Sequence, residues 1–198
     1  MKLKVWLAAC TLVAAVALNT AADEPKKSTH KMSPEEEAMM KAASPGPEHK
    51  KLEGMVGSWS VKVKMWPAPG APAQESSGTA TRKWVLGGRY VQESFSGNFM
   101  GMPFTGVGYT GYDNIKKQYF GSWMDSMSTA MMISTGTMDN DHTWTFKGSM
   151  PDAMTGKDAP FEETITVKDK DHHTFEMRSA GPDGKMFKMM EIAYSRKK

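Results

Sequence analysis

Apolar and polar residues alternate along most of the chain. The clearest stretch runs from Trp84 to Asp125 and reads WVLGGRYVQESFSGNFMGMPFTGVGYTGYDNIKKQYFGSWMD. A period of two places successive side chains on opposite faces of an extended strand. Turn-forming pairs interrupt it at Gly87-Gly88, Gly97-Asn98 and Asp113-Asn114, so its strands fold back on one another as hairpins.

The pattern extends in both directions. Strands are predicted over Ser60 to Trp66, Glu75 to Leu86, Arg89 to Ser96, Pro103 to Tyr112 and Lys117 to Asp125. Further strands cover Thr129 to Met138, His142 to Ser149, Phe161 to Val167, Thr174 to Ala180 and Lys185 to Ser195. Pro67 to Gln74 and Met150 to Ala159 read as loops, and Asp139-Asn140-Asp141 as a turn. About ten evenly spaced strands joined by tight turns describe an all-β domain: a single antiparallel up-and-down β-barrel, or a sandwich. A barrel leaves no open sheet edge.

Helical signals come only before the strands. Ser33 caps a short helix, Pro34 suits its first position and Glu36 completes a capping box. Ser44-Pro45-Gly46-Pro47 ends it. This helix is a spacer or a cover for one opening of the domain. Pro47 to Met55 adds one or two helical turns. The organisation predicted is therefore residues 1–22 as leader, 23–46 as linker and 47–198 as the barrel.

The first 22 residues carry a targeting pattern. Lys2 and Lys4 precede an apolar run, Val5 to Leu18, too short for a stable membrane span. Thr20-Ala21-Ala22 supplies small residues for cleavage after Ala22, which predicts a periplasmic or secreted protein. Leu7-Ala8-Ala9-Cys10 is the competing signal and would anchor the chain by a lipid on Cys10. Cleavage at Ala22 removes the only cysteine, leaving a domain held by its core without disulfides.

Composition narrows the function. The formal net charge is +3, and setting aside the two leader lysines leaves 23 basic against 22 acidic residues. Such a balance gives no electrostatic footprint for nucleic acid. No Gly-x-Ser-x-Gly nucleophile motif occurs. Gly106-Val107-Gly108 sits in a strand pattern rather than before a helix, so it fails the dinucleotide context. His30, His49, His142, His172 and His173 show no metal-ligand spacing, and no metal or cofactor is predicted. The nineteen methionines read as adaptable cavity lining. Met100-Gly101-Met102 is the one pairing that would clamp Cu(I), if extended.

The candidate site comes from strand faces. Tyr119, Gly121, Trp123 and Asp125 share one face; Arg89, Val91, Glu93 and Phe95 share another. If the Trp123 face is interior, Asp125 lies near a barrel mouth with Arg89 and Glu93 beside it, a polar set that orients a guest or fixes strand register. Trp84 and Trp123 read as cavity walls, and Trp59 as a structural plug. Asp125 or Glu191 would be the general base if the barrel is an enzyme.

Six motifs together resemble a known family. They are His49-Lys50-Lys51-Leu52, Gly57-x-Trp59, Gly87-Gly88-Arg89-Tyr90, Gly111-Tyr112-Asp113-Asn114, Trp123-x-Asp125 and Met190-Glu191-Ile192-x-Tyr194-x-Arg196. Over residues 47–197 the chain is similar to the bacterial domain-of-unknown-function family numbered 1579. The resemblance implies a calycin- or lipocalin-like barrel, close in outline to the haem-binding nitrobindins, and implies no activity. In calycins an arginine at the end of the last strand packs on the first-strand tryptophan, which assigns Arg196 to Trp59 for barrel closure. Nitrobindins hold haem through a histidine near the chain end. No histidine follows His173, and His172 and His173 adjoin an Asp-rich turn, which argues against that ligation.

The function expected is an exported binding protein for a small, mainly hydrophobic ligand, contacted by Trp84, Arg89, Glu93, Trp123, Asp125 and Glu191. The alternatives are a hydrolase or isomerase on the same barrel, and a packed barrel acting through its surface in the envelope.

Overall fold

The computed structural model describes residues 31–139, 142–152, 155–181 and 183–198. The leader, with Cys10 and its cleavage signal, lies outside them, as do His30 and the Asn140-Asp141 part of the predicted turn. No described helix is long and apolar enough to cross a membrane.

Two helices, α1 (Pro34–Ala43) and α2 (Pro47–Lys50), and a 3-10 turn (Lys51–Met55) precede ten described strands. The strands are β1 (Gly57–Met65), β2 (Gln74–Val85), β3 (Tyr90–Phe99), β4 (Met102–Asp113) and β5 (Gln118–Asp125). They continue as β6 (Met132–Asp139), β7 (Thr143–Pro151), β8 (Asp158–Val167), β9 (His172–Ala180) and β10 (Met186–Arg196). Each pairs antiparallel with its neighbours in sequence, and β1 pairs with β10, so the sheet closes. The architecture is an all-β up-and-down barrel, and the sandwich is ruled out by the β1–β10 pairing.

Three motif residues explain the closure. At the seam Trp59 stands opposite Arg196, whose guanidinium lies 4.2 Å over the indole. Arg196 also donates to the Val56 carbonyl at 2.8 Å and the Lys170 carbonyl at 2.8 Å. A side chain at Gly57 (φ 136°) would run into the Arg196 guanidinium, so the first position of Gly57-x-Trp59 must be bare.

One end of the barrel is plugged. Leu52 and Met55 of the 3-10 turn are buried against Val91, Tyr119, Trp144 and Phe146. His49 opens α2 by accepting the Gly46 amide on Nδ1 at 3.1 Å. Tyr119 reaches out to donate to the Glu48 carboxylate at 2.8 Å. The cover is thus α2 with its following turn. Helix α1 buries no residue, and at its C-terminal end the Asn114 amide donates to the Ser44 carbonyl at 2.7 Å and the Ala42 carbonyl at 3.1 Å.

Among the boundaries that differ from the sequence reading, two bear on the interior. Gly97-Asn98 is no turn: β3 runs on to Phe99, and the reversal falls at Met100-Gly101, with φ of 50° and 80°. Gly97 instead pairs with Gly78 on β2, where an added Cβ would come within 2.9 Å of the Ser77 carbonyl. The glycine marks close backbone approach, not a hairpin. The second difference is β9, which begins at His172 and carries His173 inward, rather than leaving both histidines in the turn.

Candidate ligand cavity

Inward residues leave a hollow of about 320 Å³ toward the end opposite the plug. Met55 forms part of its floor, while Asn98, Phe99 and Met127 line it near the loops. Glycines make the room. Gly108 and Gly121 on β4 and β5 present no side chain, and the Trp123 ring lies across Gly106 and Gly108. The lining is otherwise mainly aromatic, aliphatic and thioether, the character of small-molecule sites.

Two polar groups are set into this wall. The first is a buried ion pair. Arg82 on β2 donates from Nε and Nη2 to one oxygen of Glu93 on β3, at 2.9 and 2.8 Å. Tyr194 on β10 donates to the other oxygen at 3.3 Å, and the Arg82 guanidinium lies 4.4 Å from the centre of its ring. Arg82 Nη1 stands 2.6 Å from Nε2 of His173, which stacks on Tyr194 and meets Trp59 edge-on. Burial, then the nearby Arg82 and Arg196 charges, pushes the His173 pKa down to about 2, so the ring is neutral. With Nε2 accepting from Arg82, the proton sits on Nδ1, a buried atom without a hydrogen-bond partner.

The second is Glu163 on β8. It occupies the apolar face of its strand, between Phe161 and Ile165, and lines the hollow. The Ser134 hydroxyl on β6 donates to it at 3.0 Å. Burial pushes its carboxyl up to about 7, with only the serine opposing.

The sequence-predicted residues divide into three placements. Glu93, Trp123 and Asp125 line the hollow. Asp125 sits at the loop end, accepting from Trp123 Nε1 at 2.9 Å and the Met127 amide at 2.9 Å. Trp84, Arg89 and Glu191 lie elsewhere, and their assignment to the ligand is corrected. Trp84 belongs to the plugged end, packed with its core and donating to Glu53 at 2.6 Å. Arg89 falls in the β2–β3 turn, one residue before β3, and bonds the Leu86 carbonyl at 3.1 Å, so it does not share the Glu93 face. Glu191 pairs across the seam with Lys64 in register and binds Lys188 at 2.6 Å, both on the outer face. The general-base reading therefore loses Glu191.

Arg82, Glu163 and Ser134 are the lining residues that sequence reasoning missed, and His173, which backs Arg82, was misplaced in a turn. Their signal was present: each is a polar residue on the apolar face of an alternating strand. Met100 lies in the tight turn and Met102 follows it, both exposed, so the extended geometry required for a Cu(I) clamp is not there. His173 points inward, unlike the turn position predicted, yet it is enclosed by Trp59, Tyr194 and Arg82, which leaves its Nε2 taken. The residues present do not fit a haem ligated through this histidine.

Fold and hollow together define a ten-stranded up-and-down barrel with an interior cavity. The chain belongs to the family described as "Protein of unknown function (DUF1579)", whose model matches residues 44–196. Among solved structures the chain is similar to Rv2717c from M. tuberculosis, at 13% identity and TM-score 0.57, covering 78% of this chain and 100% of that one. At that identity the likeness shows the fold alone. A redesigned β-barrel, mFAP1, bound to DFHBI, matches at 14% identity and TM-score 0.40 over 74% of this chain and 98% of the other. No curated protein matches the sequence.

Proposed function

We propose that this protein is an exported carrier that holds one small, mainly apolar molecule inside its barrel. The observation that carries the reading is the hollow of about 320 Å³ whose lining is mostly apolar. Burial of the guest supplies the affinity, at about 25 cal/mol for each Å² of apolar surface. Trp123, Asp125 and Glu163 sit where they orient it. The leader pattern supports export: Lys2 and Lys4, the apolar run to Leu18, and small residues ending at Ala22. The hollow also removes the premise of a solid barrel working only through its surface.

The neutral probe N-phenyl-1-naphthylamine tests this reading. It gains fluorescence on entering an apolar site, and Trp123 in the wall reports the same event. The protein is expected to bind it saturably at one site. Met132, which lines the hollow, narrows it when replaced by Trp, so Met132→Trp is expected to weaken binding by about tenfold or more. Circular dichroism confirms that the variant folds. Saturable binding that Met132→Trp leaves unchanged contradicts an interior site, and no binding at all contradicts the function.

A further inference from the structure

We propose that the guest is a lipophilic amine, its protonated nitrogen paired with the Glu163 carboxylate and its apolar body lying along the aromatic wall. This rests on the interior site proposed above and names its ligand class.

The charged or titratable side chains in the lining are Arg82, Glu93, Tyr109, Asp125, Glu163 and Tyr194. Among the described lining residues Arg82 is the one basic side chain, and each of its three nitrogens is already engaged. Nε and Nη2 bind Glu93 and Nη1 binds His173. Arg82 and Glu93 cancel as a pair. Tyr194 is committed to Glu93 and is held above the usual tyrosine range, chiefly by burial. The Tyr109 hydroxyl accepts from the Gln92 amide at 2.8 Å.

Two carboxyls remain uncancelled, Glu163 within the hollow and Asp125 at its rim. Asp125 accepts from an indole and a backbone amide and has no cationic contact among the described residues. Glu163 accepts from one hydroxyl. The groups facing Glu163 from its neighbours are all uncharged. Phe146 is its register partner on β7, Met177 its partner on β9, and Ser134 contributes from β6.

An acidic group left without a counter-charge in an apolar hollow selects among guests. A carboxylate ligand would meet like charge and no free base. A neutral alcohol would gain one ordinary hydrogen bond, most of whose strength it already had in water. An ammonium would gain a charge-assisted bond in a low-dielectric site, roughly twice as strong as a neutral one. It would also lie among Phe161, Phe175 and Trp123, whose ring faces attract cations.

Proton balance follows. Glu163 gives up its proton to solvent as the ammonium arrives, so no other reactant is needed. The buried carboxyl titrates near neutrality, hence amine affinity is expected to rise about tenfold between pH 6 and pH 8.

The experiment uses three ligands of equal length, octylamine, 1-octanol and octanoate, each displacing N-phenyl-1-naphthylamine from the full chain at pH 8. Octylamine is expected to bind at least about tenfold tighter than either other ligand. Glu163→Gln is expected to bring octylamine down to the affinity of octanol and to flatten its pH profile. Glu162→Gln, one residue away with its side chain on Lys147 outside the barrel, is the control and keeps the preference. Equal binding of octanol or octanoate by the unaltered protein overturns the amine assignment and leaves the interior site standing. So does an amine preference that survives Glu163→Gln in a variant with a normal thermal melt. Failure of the probe itself to bind overturns the interior site as well.

Discussion

Glu163 and His173 are buried titratable side chains with opposite consequences for stability. Burial raises the Glu163 carboxyl from 4.5 to about 7. The folded state therefore holds this proton more tightly than the unfolded one. Its contribution to stability is complete below pH 4.5 and is lost as pH rises through 7. His173 is depressed from 6.5 to about 2, so its contribution is complete above pH 6.5 and is lost on acidification below it. The two trends offset each other between pH 4.5 and 6.5. Replacing Glu163 by Gln removes one of them. Relative to the unaltered protein, Glu163→Gln should gain on the order of 2 kcal/mol of stability between pH 5 and pH 8, measured by urea denaturation. A difference that does not change with pH contradicts the burial of this carboxyl. Such residues were legible in part. Phe161, Glu163, Ile165 and Val167 share one face, and a charge in that series is a buried charge. What the pattern could not show is the partner, because Ser134 comes from β6, a strand two places away with β7 between them.

Strand alternation located nearly every element, since one face of each strand is buried and a slip of one residue would expose it. Glycine was the ambiguous letter. Gly87-Gly88 does form a hairpin turn, with φ of 65° and 83°. Gly97-Asn98 has the same turn chemistry but serves close packing against Gly78, and the turn fell on Met100, a residue with no turn signal. The helices divide in the same way. The capping box at Ser33 and Glu36 is formed, with the Glu36 amide donating to the Ser33 hydroxyl at 3.2 Å and the Ser33 amide to Glu36 at 2.8 Å. Good capping gives a helix, not a role: α1 buries nothing, while the weaker signals at Pro47 to Met55 supply the plug. A chain beginning at Ser44 should therefore lose no more than about 1 kcal/mol. Leu52→Ala, which empties a fully buried site in the plug, should cost about 2–5 kcal/mol. Thermal melts of the two proteins check this ordering, and a larger loss from removing α1 contradicts it.

Even strand spacing left a barrel or a sandwich, and the resemblance that assigns Arg196 to Trp59 pointed to the closed cylinder. The hollow was not legible. Its size depends on which glycines face inward together and on the Trp123 ring lying flat across β4, and neither follows from a single strand's pattern. The same holds for the division of the interior. Trp84 and Trp123 both face inward, yet one closes the plugged end and the other lines the cavity, because they sit at different heights on the barrel. Methionine placement reinforces the picture, with Met65, Met132 and Met150 in the lining, Met127 exposed at its rim, and Met100, Met102 and Met131 exposed. Unbranched thioethers of this kind adapt to guests of varied shape. The most direct test of an occupied barrel is native mass spectrometry of the protein taken from its source, before and after adding octylamine. The account predicts a one-to-one complex with a small molecule that departs on denaturation and that octylamine displaces. The bare chain alone, unchanged with saturating octylamine, would contradict it.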